Sequence, residues 1–386
     1  MAQGRSLLVN FVYCPPVGHT IEALHYCHGY HRADPGLRIG LAVNADTPAE
    51  LAALCPYIGD VYPVTLDLLD PAPDLGALDR IPVGWDWVVD DDRGHQEPQR
   101  AIFPGLGAYY DRADERFAAA GSVLGMAGAA PPSYSPGEQF RLPLPSPALA
   151  SARQRLHDAA PGAHPRIGVL PAGSGPRGNY PSVRSWRLML GALSLRWPEA
   201  VFCLLGKLRQ DGRTSTSFGR AELDELAASL PASVDAVDLP IVDELAAVAA
   251  CDVLVAPHSG FGMAALAVGT PWLSIAGNLW PEYYFNGVPF YSVLPDVRRF
   301  PAYTGLGPEP EPVDDDGPRS PSMCRERIEA DLDAITEGAA RLVERRWPAD
   351  EALADHVARM LALRGGRADR IWSVDSVHRK YASQQN

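Results

Sequence analysis

Small and polar residues cluster in the second half of the sequence, where an apolar run changes into a helical pattern. The stretch HSGFG (residues 258–262) follows the run DVLVAP and precedes MAALAV. The first amides of a helix lack intrahelical partners and carry the positive end of its dipole, so this turn suits an anion. We predict a diphosphate-binding turn formed by His258, Ser259, Gly260, Phe261 and Gly262. The alternative is a capped helix in which the histidine is only a turn residue.

Two other turns of the second half combine glycine with a cation. LPAGSGPRGNYPS (residues 170–182) lies between a strand-like run and a helix, and LLGKLRQDG (residues 204–212) holds one of only two lysines in the chain. Glycines let backbone amides approach a phosphate, and open α/β sheets bind ligands at the carboxyl ends of their strands. We predict that these turns bind the same diphosphate through Gly173, Ser174, Gly175, Arg177 and Lys207. The first turn does not match the dinucleotide or Walker fingerprint. The alternatives are a flexible turn for the first stretch and a solvated lysine for the second.

The stretch from Arg166 to Gly277 resembles the C-terminal half of GT-B glycosyltransferases, and most of all the heptosyltransferase family. The residues that carry the resemblance are HSGFGMAALAVGTPWLSIAG, in which a Ser/Thr-Gly loop, a small-residue helix and a Gly-Thr-Pro turn follow a strand. The family commonly has an aspartate where this chain has His258. The resemblance implies an α/β protein of GT-B type, whose two Rossmann-like domains face each other across a cleft. It also implies a nucleoside-diphosphate sugar as donor, with no metal and no other cofactor.

The turn after the first strand-like run, PPVGHTIEAL (residues 15–24), resembles the P-x-x-G-H turn of natural-product glycosyltransferases. In those enzymes the histidine is the general base, which makes His19 the candidate base here and places Gly18 in the acceptor pocket. A neutral imidazole can accept a hydroxyl proton near neutral pH while a carboxylate orients its other nitrogen. The candidates for that carboxylate are Asp90, Asp91, Asp92 and Asp111. Alternatively, His19 caps the first helix or merely lines the cleft.

Two segments have a more ambiguous pattern. DDDRGH (residues 90–95) offers carboxylates for a metal, as in GT-A glycosyltransferases, but three adjacent aspartates cannot all point one way. GT-B enzymes neutralise the leaving diphosphate with cations and helix amides instead, so we expect an exposed loop and no metal ligand here. NLWPEYYFNGVPFY (residues 278–291) is dense in aromatic residues. We predict that Glu282 and Asn286 shape the sugar and acceptor pocket, with packing beneath a linker as the alternative.

The elements that must position these residues alternate between strands and helices, which predicts mostly parallel sheets with right-handed crossovers. The strand-like runs are residues 6–12, 38–44, 60–64, 85–90, 166–173, 200–206, 252–257 and 271–277. Helical patterns follow Ser182, which can cap the first of them, and cover residues 242–250, 260–268, 324–345, 350–363 and 370–382. A Pro-rich stretch at 127–149 has the composition of a linker. We predict three segments: an acceptor domain at 1–150, a donor domain at 160–345, and C-terminal helices at 346–386 that cross back to the first domain.

Composition excludes several classes of protein. A net charge of −13 without a basic stripe argues against a nucleic-acid partner, and 46% hydrophobic with 21% charged residues is typical of a globular chain. No stretch reaches about 18 apolar residues and no signal-peptide pattern is present, so we expect a cytoplasmic protein without membrane insertion. The six cysteines lie far apart and are expected to be reduced thiols. Two lysines among 34 basic residues, with abundant Ala, Gly and Pro, suggest a GC-rich genome such as that of an actinobacterium.

Together these features predict a metal-independent glycosyltransferase that moves a sugar from a nucleoside-diphosphate sugar to a small-molecule acceptor. The expected setting is antibiotic or other secondary-metabolite biosynthesis. A lincosamide-type S-glycosyltransferase, which joins a GDP-activated octose to a small thiol, is one such case. The alternatives are a nucleotide-sugar 2-epimerase or hydrolase on the same scaffold and a non-catalytic nucleotide-sugar-binding protein. The sequence leaves open the donor base, the sugar, the acceptor, the stereochemical course and whether the chain forms a homodimer.

Overall fold

The computed structural model describes residues 5–13, 16–129, 131–209, 215–277, 286–303, 314, 317–363 and 365–367. The chain divides between Pro143 and Leu144 into two compact units. The N-terminal part is called unit 1, and the part from Leu144 to Arg367 is called unit 2. Each unit contains one parallel sheet with helices between its strands, which confirms the predicted α/β class with two Rossmann-like folds.

Unit 1 contains a five-stranded sheet with the strand order β3-β2-β1-β4-β5. Its strands are β1 (Ser6–Phe11), β2 (Arg38–Asn44), β3 (Ile58–Val64), β4 (Trp87–Asp90) and β5 (Val123–Met126). Its helices are α1 (Val17–Ala33), α2 (Glu97–Ile102) and α3 (Pro104–Ala119), and short 3-10 segments occupy Ala49–Leu54, Leu78–Arg80 and Asp92–His95. The first four strands match predicted runs, whereas β5, α2 and α3 were not predicted.

The central strand of unit 1, β1, is buried along its whole length. Its apolar residues alternate between two covered faces, as a parallel strand packed between helices requires. The register pairs Leu8 with Val88 and sets Asn10 beside Asp90, where β1 and β4 reach their carboxyl ends. Leu8 and Val88 share one buried cluster with Tyr109 of α3. Asn10 and Asp90, the polar residues at the ends of β1 and β4, therefore lie side by side next to this buried apolar cluster.

Unit 2 contains a six-stranded sheet with the strand order β11-β10-β9-β6-β7-β8. Its strands are β6 (Arg166–Val169), β7 (Val201–Leu204), β8 (Ser233–Asp235), β9 (Val253–Pro257), β10 (Trp272–Ile275) and β11 (Phe290–Val293). Its helices are α4 (Ser146–Ala159), α5 (Val183–Arg196), α6 (Arg220–Ala228), α7 (Ile241–Ala249), α8 (Gly260–Ala267), α9 (Arg325–Ala330), α10 (Leu332–Val343) and α11 (Ala349–Leu363). The elements that were not predicted are β8, β11, α4 and α6.

Local contacts fix the starts of two helices in unit 2. The hydroxyl of Ser182 accepts a hydrogen bond from the Ser185 amide at 3.1 Å, so Ser182 caps α5 as predicted. Helix α8 starts at Gly260, three residues after Pro257 ends β9, and it lies against Trp272 of β10. A Cβ on Gly262 would overlap the indole ring of Trp272. The glycine therefore lets α8 pack directly on the sheet.

The helix α11 is the main described element of the segment 346–386, which we expected to pack on the first domain. It packs on β11 of unit 2, and the prediction for the segment as a whole stays a prediction. The ring of His356 lies 5.1 Å from that of Phe290, and the guanidinium of Arg359 donates to the Ser292 carbonyl at 2.5 Å. The buried face of α11 packs on the unit 2 sheet, and the sequence pattern did not reveal this contact. The last predicted helix, residues 370–382, lies outside the described residues.

Two other expectations concern membranes and disulfides. None of the helices among the described residues is long and apolar enough to cross a bilayer. The five described cysteines are buried and free of disulfides, in agreement with the prediction of reduced thiols; they are Cys27, Cys55, Cys203, Cys251 and Cys324.

Candidate functional site

His19 lies in the first turn of α1, directly after the buried Gly18, and its own amide donates to the Pro16 carbonyl at 3.0 Å. Its imidazole is largely buried, with 16% of the side chain exposed, and the ring lies edge-on to Tyr13 with 5.1 Å between centroids. The Nδ1 atom of His19 lies 3.5 Å from a carboxylate oxygen of Glu22, one turn along the helix. Because the carboxylate faces Nδ1, proton exchange with a substrate falls to Nε2.

Glu22 is therefore the carboxylate beside His19, in place of the four aspartates that we predicted for that role. The spacing of three residues on α1 brings the two side chains to one face of the helix. Burial acts to raise the pKa of Glu22, but the charges and hydrogen bonds of Arg93 and His19 outweigh it and lower the pKa below its ordinary value. Glu22 is then ionised at neutral pH and can stabilise a positive charge on His19.

Arg93 holds Glu22 in place and is itself buried. Its Nη2 atom donates to Glu22 at 2.7 Å, and its Nε atom donates to Asp91 at 3.0 Å. The guanidinium also lies over the ring of Tyr13, 4.7 Å from the centroid. Tyr13 in turn contacts His19. Arg93 thus fixes both the carboxylate and the aromatic ring that flank the imidazole.

The aspartates of residues 90–92 separate as expected, but two of them are not exposed. Asp90 and Asp91 are buried and point apart, Asp91 towards Arg93 and Asp90 towards His95. Asp92 is exposed and accepts a hydrogen bond from the Gln96 side chain. The prediction of an exposed loop is therefore wrong for Asp90 and Asp91, because the carboxyl end of β4 carries them into the interior. Asp111, the fourth predicted carboxylate, is exposed and paired with Arg100 at 2.8 Å.

The glycine-rich turn of unit 2 surrounds a side chain of the protein itself. The hydroxyl of Tyr180 accepts a hydrogen bond from the Gly175 amide at 2.9 Å, and a Cβ on Gly173 would lie 2.9 Å from the same oxygen. Burial raises the pKa of Tyr180, while the amides of Gly175 and Gly173 act in the opposite direction. Two amides that we predicted for phosphate therefore contact a tyrosine, whereas Ser174 between them is exposed.

The two predicted cations of unit 2 have different surroundings. Arg177 forms a two-bond pair with Glu222, one bond of which measures 3.0 Å, and half of its side chain is exposed. A diphosphate would have to compete with this carboxylate. Lys207 lies three residues beyond the end of β7, and its charge acts on two acidic groups, Asp238 and Glu244. The structure therefore places Lys207 near two acidic groups, which the sequence did not reveal.

Glu244, one of the two acidic groups near Lys207, is buried. It lies in the first turn of α7, and burial raises its pKa to about 8, with the Gly206 amide and Lys207 acting in the opposite direction. The carboxyl is then largely protonated near neutral pH, so it can both donate and accept a hydrogen bond. A buried carboxyl with this property at the carboxyl edge of an α/β sheet is a strong candidate ligand group. Within the apolar pattern IVDELAAVA it gave no signal beyond its position in the first helical turn.

The HSGFG turn contains three buried residues, His258, Phe261 and Gly262, and two partly buried ones, Ser259 and Gly260. The ring of His258 is buried and stacks on Trp272 with 5.9 Å between centroids, next to His356 of α11. The side chain of Phe261 is buried too, and Gly262 is required by the contact with Trp272. The hydroxyl oxygen of Ser259 is buried and has no hydrogen-bond partner among the described residues. Ser259 and the Gly260 amide therefore remain the candidates in this turn for contact with an anion.

Glu282 and Asn286 were predicted to shape the sugar and acceptor pocket, and only Asn286 lies among the described residues. Asn286 is buried, adopts a left-handed backbone conformation with φ of 49°, and donates its side-chain amide to the Leu266 carbonyl at 3.3 Å. This bond ties it to the C-terminal end of α8. Glu282 lies outside the described residues.

Two parallel sheets, each interleaved with helices, are what the predicted GT-B fold requires. A glycosyl transferase family 9 structure from Veillonella parvula matches with a TM-score of 0.56 at 11% identity, over 87% of this chain and 99% of that one. An ADP-heptose LPS heptosyltransferase II from E. coli matches with a TM-score of 0.53 at 11% identity, over 89% of this chain and 99% of that one. No protein-family model and no curated protein matches the chain. At this identity the likeness establishes the fold, and the chain has the GT-B fold that its sequence predicted.

Proposed function

We propose that the protein is a glycosyltransferase that moves a sugar from a nucleoside-diphosphate sugar to a small-molecule acceptor. The observation that carries the proposal is the His19–Glu22 pair at the carboxyl edge of the unit 1 sheet. The GT-B fold, which the chain shares with a family 9 glycosyltransferase and a heptosyltransferase, supports it. In this proposal unit 1 binds the acceptor and unit 2 binds the donor.

The proposed reaction begins with the acceptor hydroxyl beside Nε2 of His19. The imidazole accepts the hydroxyl proton as the oxygen attacks the anomeric carbon, and the bond from that carbon to the diphosphate oxygen breaks. Glu22 stabilises the imidazolium that forms, because Arg93 keeps this carboxylate ionised and in place. General base catalysis of this kind contributes about 10² to 10⁴-fold in rate.

The donor side must offset the charge of the leaving diphosphate. Ser259 and the first amides of α8 offer hydrogen-bond donors with the positive end of a helix dipole behind them. Lys207 supplies a positive charge, and Arg177 adds a second if it exchanges Glu222 for phosphate. We propose that these groups make a metal ion unnecessary for transfer. The largely protonated carboxyl of Glu244 would hold a donor hydroxyl.

The setting that we propose is secondary metabolism, including antibiotic biosynthesis. It rests on the arginine-rich, lysine-poor composition and on the P-x-x-G-H turn. A GDP-sugar and a thiol acceptor form one version of this proposal. A thiol is partly ionised and strongly nucleophilic near neutral pH, so that version would depend less on His19.

Thermal-shift measurements with UDP, GDP, ADP and dTDP test the donor half of the proposal. A nucleotide at about 100 times its Kd adds about 2.7 kcal/mol of stability. We expect one of the four to stabilise the wild type strongly and Ser259→Ala weakly, with Ser151→Ala, at an exposed serine of α4, as the matched control. If no nucleotide raises the melting temperature, the proposal of a donor site is wrong.

Product analysis with the selected nucleotide sugar tests the reaction. A glycosyltransferase releases nucleoside diphosphate only when an acceptor is present. A 2-epimerase or hydrolase changes the sugar without any acceptor, and a binding protein binds the nucleotide without releasing diphosphate. Isomerised or hydrolysed sugar at full rate in the absence of acceptor would contradict the proposal.

A further inference from the structure

Three potential metal ligands converge in unit 1 on the side of Asp90 that faces away from Asp91. Asp90 ends β4, His95 ends the 3-10 segment, and Asp114 lies in α3. One ligand atom from each lies within 4.8 Å of the others. The Nε2 atom of His95 lies 3.0 Å from Asp90, and the Asp114 carboxyl is hydrogen-bonded to Asp90. Three separate elements of the fold therefore bring two carboxyls and an imidazole to one point.

The position of Asp90 is fixed by groups behind it. Its other carboxylate oxygen accepts a hydrogen bond from the Asn10 side chain at 2.8 Å, and Asn10 accepts one from the Tyr109 hydroxyl at 2.8 Å. Both Asn10 and Tyr109 are fully buried. Carboxylates that bind metals are characteristically held by such outer hydrogen bonds, which orient the ligand. The ring of His95 packs against Tyr110, 5.2 Å between centroids, which restricts the imidazole as well.

The charges of the cluster favour a cation. Among the described residues, no arginine or lysine forms an ion pair with Asp90 or Asp114. The nearby Arg100 pairs with the exposed Asp111 instead. A divalent ion in that place would neutralise both carboxylates.

We propose that Asp90, His95 and Asp114 form a binding site for a divalent transition-metal ion. One imidazole with two carboxylates suits Zn²⁺ or Mn²⁺ better than Ca²⁺ or Mg²⁺, which prefer all-oxygen sites. Three protein ligands leave a coordination position for water or for an oxygen of a small molecule. The site is additional to the proposed transfer, in which cations and helix amides neutralise the diphosphate.

Calorimetric titration of chelator-treated protein with ZnCl₂ or MnCl₂ tests this proposal. We expect one ion per chain and, with Mn²⁺, loss of the free-ion signal in electron paramagnetic resonance. Asp114→Asn should weaken binding by more than about 100-fold, because losing a ligand exceeds the roughly 10 to 100-fold cost of losing an outer partner. Asn10→Ser should weaken it by about 10 to 100-fold, since it removes such a partner.

Asp111→Asn is the matched control, because Asp111 lies in the same helix one turn earlier and is exposed. It should bind both ions like the wild type. Asparagine is nearly the same size and shape as aspartate, so Asp114→Asn should fold, and His95→Gln provides a second variant on a different element. No binding at millimolar metal, or unchanged affinity in both Asp114→Asn and His95→Gln, would overturn the proposal. Because the titration uses neither donor nor acceptor, its result is independent of the proposed transfer.

Discussion

Replacing the buried Glu244 by glutamine should stabilise the protein by an amount that grows with pH. Burial raises the pKa of Glu244 from 4.5 to about 8. Between these two values the folded state holds a proton that the unfolded state releases. The stability due to that proton is fully present below pH 4.5 and is lost as the pH rises through about 8. Glutamine stays neutral throughout and can still accept the hydrogen bond of the Gly206 amide.

The expected size follows from the pKa difference. A difference of about 3.5 units, at about 1.4 kcal/mol per unit, corresponds to about 5 kcal/mol. Relative to the wild type, the free energy of unfolding of Glu244→Gln should therefore increase by about 3 kcal/mol between acid and neutral pH, and by about 5 kcal/mol above pH 8. Few single substitutions stabilise a protein by this much.

Urea denaturation at about pH 5, 7 and 9 measures the effect, with the slope m compared to confirm that the same surface is exposed on unfolding. Asp243→Asn is the matched control, because Asp243 precedes Glu244 in the same turn of α7 and is only partly buried. A constant difference between wild type and Glu244→Gln at all three pH values would show that the carboxyl is ionised in the folded protein. That result would refute the reasoning.

The remaining predictions concern the proposed reaction. His19→Ala should lower kcat with a hydroxyl acceptor by about 10² to 10⁴-fold while calorimetry shows unchanged donor binding, and near-normal turnover would remove His19 from the mechanism. Glu22→Gln should lower kcat and shift the acidic limb of the pH–rate profile to lower pH, because the imidazolium loses its carboxylate; an unmoved profile would contradict the pairing. Lys207→Ala and Arg177→Ala should each lower kcat/KM for the donor by about 10 to 1,000-fold, and wild-type donor kinetics in both would mean that the phosphate site is misplaced. EDTA should leave transfer unchanged, whereas loss of activity restored by Mn²⁺ would make a metal part of the reaction.

The sequence predicted those features that depend on neighbouring residues. Continuous apolar runs located β1, β2 and β9, since a strand buried on both faces has that pattern. Ser182 was identified as a helix cap because the capping hydroxyl bonds an amide three residues away. The order of strands and helices then indicated the α/β class, and the HSGFG turn indicated the GT-B fold.

The features that escaped prediction depend on which elements meet in space. Tyr180 takes the amides of its own turn because the chain folds back through a short 3-10 segment, and no periodicity encodes that contact. Asp114 reaches Asp90 only because α3 packs beside the end of β4. The partner of His19 was sought among distant aspartates although it stood three residues away on the same helix. Residues three apart on a helix lie on the same face, so Glu22 was the simpler candidate for the partner of His19.

The contact between Gly262 and Trp272 affects how substitutions in the HSGFG turn should be interpreted. A methyl group at Gly262 has no space above the indole, so Gly262→Ala would push the start of α8 away from β10. The amides of that helix would move with it. A weaker nucleotide affinity in Gly262→Ala would therefore report a displaced helix and would say nothing about contact between that residue and a ligand. Substitutions at Ser259, whose hydroxyl faces no partner among the described residues, separate binding from scaffold in the same five-residue turn. A chain of this fold that binds a different ligand can therefore differ at position 259. Position 262 must stay glycine as long as position 272 is tryptophan, because a larger residue would overlap the indole ring.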